Sequence, residues 1–189
     1  MRIVGGEFRG RPLATPETAA IRPTSDRLRQ ALFDILAHTH DVPGEGTRVL
    51  DLFAGTGALG IEALSRGATS ALFVDDRVEA RGLLRRNVES LGLTGRTRIF
   101  RRDATRLGPA GTVSPFGLIF ADPPYGKGLG EAALAAARAG GWMLPDALAV
   151  LEERAGTVIA LIPGLEAVDI RVIGDSQITF LRACETAGA

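Results

Sequence analysis

This chain of 189 residues predicts an α/β domain built on a doubly wound, mostly parallel sheet, and three observations carry that prediction. Short apolar runs alternate with stretches of helical periodicity, the pattern left by repeated βα units. A glycine-rich loop, Gly55-x-Gly57-x-x-Gly60, stands between one such run and the helical stretch after it. Four of the runs carry an aspartate at or near their end: Asp51, Asp75, Asp103 and Asp122. In an open parallel sheet those ends share one lip, where ligands bind.

Composition bounds the reading. The length suits one full core with a small appendage, and 46% hydrophobic residues with 24 glycines suit a compact, loop-rich domain. No apolar run is long enough for a membrane span, and Met1-Arg-Ile-Val-Gly-Gly6 is no signal peptide. A single cysteine, Cys184, excludes an internal disulfide, so a reducing cytoplasm is expected. A formal net charge of zero argues against indiscriminate nucleic-acid binding but leaves room for a local basic face. Lys127 is the only lysine, a bias that phosphate recognition or a GC-rich genome would equally produce.

Taken in order, residues 2–13 read as a β-hairpin, with Gly5-Gly6 as the turn signal. Residues 14–24, with two prolines and three threonines, read as an extended connector. Arg2, Arg9, Arg11, Arg22, Arg27 and Arg29 stand against only Glu7, Glu17 and Asp26. Residues 1–24 are therefore a candidate RNA-contacting appendage, or else a solvated cover over the sheet. Residues 25–183 form the main domain, and 184–189 a tail. Ser25 caps a helix lined by Leu28, Leu32, Ile35 and Leu36, with Asp26 in its first turn. His38 and His40 fall at its frayed end as surface residues, and no cysteine or carboxylate cluster nearby makes a metal site. After the Gly44-Glu45-Gly46 linker, strands are expected at 49–53, 71–74, 97–100 and 118–121. Helices fill 58–66, 77–91 and 127–139, and Gly67 and Gly92 stop the first two. Further strand candidates are 147–152, 158–161, 170–173 and 177–181.

Residues 118–125, Leu-Ile-Phe-Ala-Asp-Pro-Pro-Tyr, organise the rest. The apolar run reads as a strand buried on both faces, and Pro123 and Pro124 end it in a stiff extended bend. Asp122 then offers a carboxylate, the bend a fixed carbonyl and Tyr125 an aromatic face. Together these make a socket for a flat ring bearing an amino group. Taken alone, the tetrapeptide is equally a proline-stiffened turn with a surface tyrosine.

The glycine loop formally matches a dinucleotide fingerprint, which alone is a weak signal. A carboxylate at Asp51 would repel a diphosphate resting on the helix N-terminus, yet it suits a cationic amino-acid group. Asp75 is placed to accept both hydroxyls of a ribose. Asp103 is placed to accept from an adenine amine, with the Ala104 amide at the ring edge. Each strand-end acid has a bland counterpart as a helix cap; four in series are harder to explain that way.

With those residues set out, Asp51-Leu-Phe-Ala-Gly-Thr-Gly57 resembles the first motif of class I methyltransferases, and Asp122-Pro-Pro-Tyr125 the signature of S-adenosylmethionine-dependent amino-methyltransferases. Residues 2–11, Arg22 to Leu36, Asp51 to Gly67 and Asp122 to Tyr125 are together similar to the bacterial 16S ribosomal RNA guanine-N2 methyltransferase family, over nearly the whole chain. The resemblance implies a seven-stranded Rossmann-like sheet and S-adenosylmethionine as cofactor. It also implies 16S rRNA as substrate, within a small ribosomal subunit or its assembly intermediate, no metal and a monomer. It implies that Asp122 and the Pro123 carbonyl accept from a guanine N2 amine, and that Tyr125, beside Pro124, stacks on the extruded base. Cofactor contacts are expected from Asp51, Phe53, Gly55, Gly57, Asp75, Asp103 and Ala104. Thr24 and Ser25, at a helix start, are expected near the methionine carboxylate. The family's second-strand acid is often glutamate; here Asp75 is followed by Asp76, and either can take the ribose. Arg2, Arg9 and Arg11 are the expected phosphate contacts. On this reading Tyr125→Phe should be mild and Tyr125→Ala severe. Rivals are an adenine-N6 methyltransferase, for which the chain has no room for a large recognition domain, and a glutamine methyltransferase, which shows Asn in place of Asp122. A nicotinamide dehydrogenase is disfavoured by Asp51. A cysteine-dependent pyrimidine methyltransferase is disfavoured by the remoteness of Cys184.

Overall fold

The computed structural model describes residues 1–16 and 25–184. Its centre is a seven-stranded sheet of β1 (Arg48–Leu52), β2 (Ser70–Val74), β3 (Thr97–Phe100), β4 (Phe116–Ala121), β5 (Met143–Arg154), β6 (Leu165–Ile173) and β7 (Ser176–Ala183), ordered β3-β2-β1-β4-β5-β7-β6. The first five strands run parallel; β7 is antiparallel to both β5 and β6. Chain order reverses between β1 and β4, which creates a crevice at their C-terminal ends.

Residue parity along the strands explains the two layers. Val49, Phe73, Leu118, Phe120 and Val150 point to one face, where α1 (Asp26–Thr39), α2 (Ala58–Ser65) and α3 (Val78–Ser90) cover them. Leu50, Leu52, Leu72, Ile119 and Ala149 point to the other, under α4 (Leu129–Ala139), Trp142 and Ile162. Strands buried on both sides read as unbroken apolar runs, and for this reason β4 is legible in the sequence. Ser25 caps α1 as expected, accepting from the Leu28 amide at 3.1 Å.

The amino-terminal segment closes on itself by an antiparallel bridge between Arg2 and Pro12, with Ile3 N–H donating to Arg11 O and Gly10 N–H to Ile3 O. It is also docked. Ile3 and Leu13 are buried in the same apolar cluster as α1 and α2. The Glu62 carboxylate of α2 accepts from the Val4 and Gly5 amides at 2.9 and 2.8 Å, and Ser65 Oγ accepts from Phe8 at 2.9 Å. Gly5-Gly6 thus does more than turn the chain. Gly6 has φ +74°, and a Cβ there would lie 1.9 Å from the Ser65 carbonyl oxygen.

Two expectations are corrected. Residues 158–161 form no strand: Val158 and Leu161 are 91% and 93% exposed, with no neighbouring strand to pair with. An apolar run without burial has no reason to extend. His40 is not a free surface residue; it is half-buried and stacks on Phe180 with ring centroids 5.0 Å apart. His38 is exposed, as expected.

Candidate functional site

All four strand-end aspartates line one cavity of about 940 Å³ at the C-terminal lip of the sheet. That volume lies near the upper end for small-molecule sites. It has room for more than one planar group.

Asp51 reaches the cavity from β1. It is 2% exposed, and its Oδ2 accepts from the Gly60 amide at 2.9 Å. Burial, opposed by that hydrogen bond and aided by the Asp75 charge, pushes its pKa from 3.8 up to about 8. A carboxyl so placed is poised to ionise against a cation. The glycines beside it follow from crowding: a Cβ on Gly60 would lie 3.1 Å from Asp51 Oδ2 and 2.4 Å from the Phe73 ring. Gly57 does not line the cavity; its φ of +81° and the Leu84 methyl behind it make it the tight corner into α2. Phe53 lines the cavity in a left-handed conformation, φ 61°. A non-glycine residue held there stores strain, a common mark of ligand sites.

Asp75, at the end of β2, is 4% exposed, whereas Asp76 beside it is exposed. The Gly55 amide donates to Asp75 Oδ2 at 2.9 Å, and Arg77 Nη2 to the same oxygen at 2.8 Å. Arg77 Nε and its backbone amide donate to Oδ1 at 3.1 and 2.9 Å. Burial alone would raise the Asp75 pKa, but these donors outweigh it and hold the group below its usual range. A ribose diol would compete here with the Arg77 guanidinium, a partner that sequence reasoning did not foresee. Asp103 lines the rim and is exposed; its Oδ1 accepts from the Thr105 hydroxyl at 2.7 Å and amide at 2.9 Å, which lowers its pKa. It is therefore both a cap of the short 3-10 turn Ala104–Arg106 and a cavity acid. Ala104 lines the cavity beside it.

Asp122, Pro123, Pro124 and Tyr125 line the same cavity at the end of β4. The turn is fastened from behind. Gly126 N–H donates to both oxygens of buried Glu153 at 3.2 and 3.0 Å. Gly130 lets α4 lie close: a Cβ there would meet Leu151 at 2.3 Å and Pro123 at 3.2 Å. The Tyr125 hydroxyl donates to Glu152 Oε1 at 2.6 Å. Glu152 and Arg154 near the end of β5, Asp175 in the β6–β7 turn and Ser176 at the start of β7 also line the cavity and were missed in the sequence. The β5–β7 pairing is what brings Glu152 and Ser176 together beside Tyr125.

Ser25 and Arg27 line the cavity mouth; Thr24 lies outside the described residues. Arg2 and Arg9 line a neighbouring groove with Arg27, which borders both spaces. Arg2 Nε pairs with Asp26 at 3.4 Å. Arg11 points elsewhere, donating to the Ser90 carbonyl at the end of α3 at 3.0 Å. No cluster of three metal-ligating side chains occurs among the described residues, and no helix among them is long and apolar enough to cross a membrane.

Residues 1–182 match the sequence profile of a family described as Conserved hypothetical protein 95. The chain belongs to this family. It is 36% identical over 165 residues to ribosomal RNA small subunit methyltransferase D of Escherichia coli, covering 86% of this chain and 79% of that one. Among solved structures, one from Escherichia coli, named provisionally as a methyltransferase, superposes with a TM-score of 0.80 at 31% identity, covering 97% and 98% of the two chains. A hypothetical protein of Thermus thermophilus superposes with a TM-score of 0.72 at 34% identity, covering 95% and 98%. The seven-stranded Rossmann-like expectation is borne out by the sheet order and by these neighbours.

Proposed function

We propose that this chain transfers a methyl group from S-adenosylmethionine to the exocyclic N2 of a guanine in small-subunit ribosomal RNA. The observation that carries the reading is one cavity lined by Asp51, Asp75 and Asp103 together with Asp122-Pro-Pro-Tyr125. The kinship with small-subunit rRNA methyltransferases supports the same reaction class.

The residues fit the cofactor. Buried Asp51 suits its ammonium group, Ser25 at the α1 N-terminus its carboxylate, Asp75 its ribose, and Asp103 with Ala104 its adenine. The cofactor supplies an electrophilic methyl on a sulfonium. What remains is positioning. A guanine amine is a poor nucleophile because its lone pair is delocalised into the ring. Asp122 and the Pro123 carbonyl accept hydrogen bonds from its two N–H groups and hold the nitrogen in line, which is where most of the rate enhancement arises. The one proton that the methylated nitrogen must lose passes to Asp122 or to water. Tyr125 stacks on the base and offsets part of the few kcal/mol spent in unstacking it, which makes a loop base the cheaper target. The groove of Arg2, Arg9 and Arg27 leads RNA phosphates to the mouth.

The test is transfer of labelled methyl to small subunits from cells lacking the enzyme, followed by nucleoside analysis. N2-methylguanosine is the expected product, and N6-methyladenosine would replace this reading with the adenine alternative. Asp122→Ala should abolish transfer while S-adenosylhomocysteine still binds. A well-folded, active Asp122→Ala variant would remove the β4 lip from the mechanism.

A further inference from the structure

Tyr125 sits in a turn outside the sheet, half-buried, and a ring in that position has two side-chain torsions to restrain. The far end of this ring is held by a closed triangle of oxygens. Its hydroxyl lies 2.6 Å from Glu152 Oε1 and 3.1 Å from Ser176 Oγ, and Ser176 Oγ donates to the same Glu152 oxygen at 3.0 Å. Both anchors belong to rigid elements: Glu152 is on β5, and Ser176 opens β7 opposite Arg154 in the β5–β7 ladder. Both are buried, at 5% and 4% exposure. The near end of the turn is tied to the adjacent β5 residue, Glu153, through the Gly126 amide. Burial and the neighbouring Glu152 raise the phenol pKa well above its usual range, so the hydroxyl remains a donor across the working pH range. A hydrogen bond from a phenol to a buried carboxylate is of the strong, charge-assisted kind.

We infer that Glu152 and Ser176 are positioning residues that fix the plane of the Tyr125 ring in advance of the target base. The inference rests on the reading of Tyr125 as the stacking face for that base. Preorganisation is the physical reason for such a tether. Ordering a side chain at the moment of binding weakens the complex, whereas a ring already held in place presents its face without that cost. The tether also changes the sequence-based expectation for Tyr125→Phe. The phenylalanine ring keeps its π-face but loses the hydroxyl link to β5 and β7, so the substitution should not be silent.

The experiment is a double-mutant cycle on methyl transfer to small subunits, read as kcat/KM for RNA. The S-adenosylhomocysteine affinity and melting temperature of every variant are measured alongside. Tyr125→Phe, Ser176→Ala and Glu152→Ala should each lower kcat/KM by roughly three- to tenfold, the span expected for freeing one ordered side chain. Cofactor-product affinity should stay unchanged. Glu152→Gln keeps an acceptor oxygen and should recover most of the loss. Because the three act through one hydroxyl, Tyr125→Phe combined with Glu152→Ala should be no worse than Tyr125→Phe alone. If Glu152→Ala fails to fold, the cycle of Tyr125→Phe with Ser176→Ala carries the same information. Multiplicative losses, or a Tyr125→Phe variant at the wild-type rate, would overturn the inference. A wild-type chain inert on small subunits would overturn the functional reading, and this inference with it.

Discussion

Asp51 shows how burial reshapes the chemistry of a single residue. Its carboxyl is buried and raised to about pH 8, against an ordinary value of 3.8. Because the folded pKa lies above the unfolded one, the folded chain binds the extra proton between pH 4 and 8. The contribution of Asp51 to stability is therefore fully present below pH 4 and is lost progressively as pH rises to 8. Asp51→Asn removes that penalty. It should melt higher than wild type at pH 8 and show no such gain at pH 4, by calorimetry without ligand. On the proposed reading, the same substitution also removes the partner of the cofactor's ammonium. A hydrogen bond to a charged group is worth about 1.5–3 kcal/mol, so S-adenosylhomocysteine affinity should fall at least tenfold. In wild type, binding should release a proton at pH 7, and affinity should rise from pH 6 to 8. A pH-independent affinity would show that Asp51 does not meet the ammonium.

At the scale of elements, the amino-terminal segment and α2 behave as one unit. Glu62 is fully buried and accepts from two amides of the segment and from Arg66 Nε at 2.8 Å, while Gly6 presses against the end of the same helix. Gly6→Ala would place a side chain in the left-handed region and onto the Ser65 carbonyl. The conformational part alone costs about 1–3 kcal/mol, so the melting temperature should drop by several degrees, whereas Gly10→Ala, with open space around its Cβ position, should lose only the conformational part. Equal losses at the two glycines would mean that the docking onto α2 is not tight. The same packing makes deletion of residues 1–13 a poor probe of RNA binding, since it would uncover Ile3 and Leu13 along with the arginines.

For the whole molecule, zero net charge and a local basic groove are compatible because the arginines are placed unevenly. Single substitutions test that placement without disturbing the core. Arg9→Ala and Arg27→Ala should each weaken RNA binding alike across sequences, and should reduce the slope of log affinity against log salt by about one phosphate's worth. Arg11→Ala should leave the slope unchanged, because its guanidinium is engaged at the end of α3. A slope insensitive to Arg9 and Arg27 would place the RNA path elsewhere on the surface. Across that surface, the strand-end acids and the proline-stiffened turn were legible in the sequence. Each depends on chain-local chemistry: an apolar run that ends, a glycine that permits a turn, a proline that cannot pair. The alternation of βα units likewise dictated the parallel part of the sheet, β1 to β5.

Only the tertiary structure decided which distant groups meet. Glu152 and Ser176 reach Tyr125 because β7 enters the sheet antiparallel beside β5, a pairing that no local pattern encodes. Arg77 folds back over Asp75, and Arg11 turns away from the basic groove, because long flexible side chains settle where a partner happens to lie. Val158 to Leu161 resembles a strand by composition yet forms none, since extension is stabilised by neighbours rather than by residue type. Local propensity and periodicity are written along the chain and so determined the fold class, the loop and the acids. Side-chain partnership is a property of three-dimensional proximity, and it arises only once the sheet has assembled.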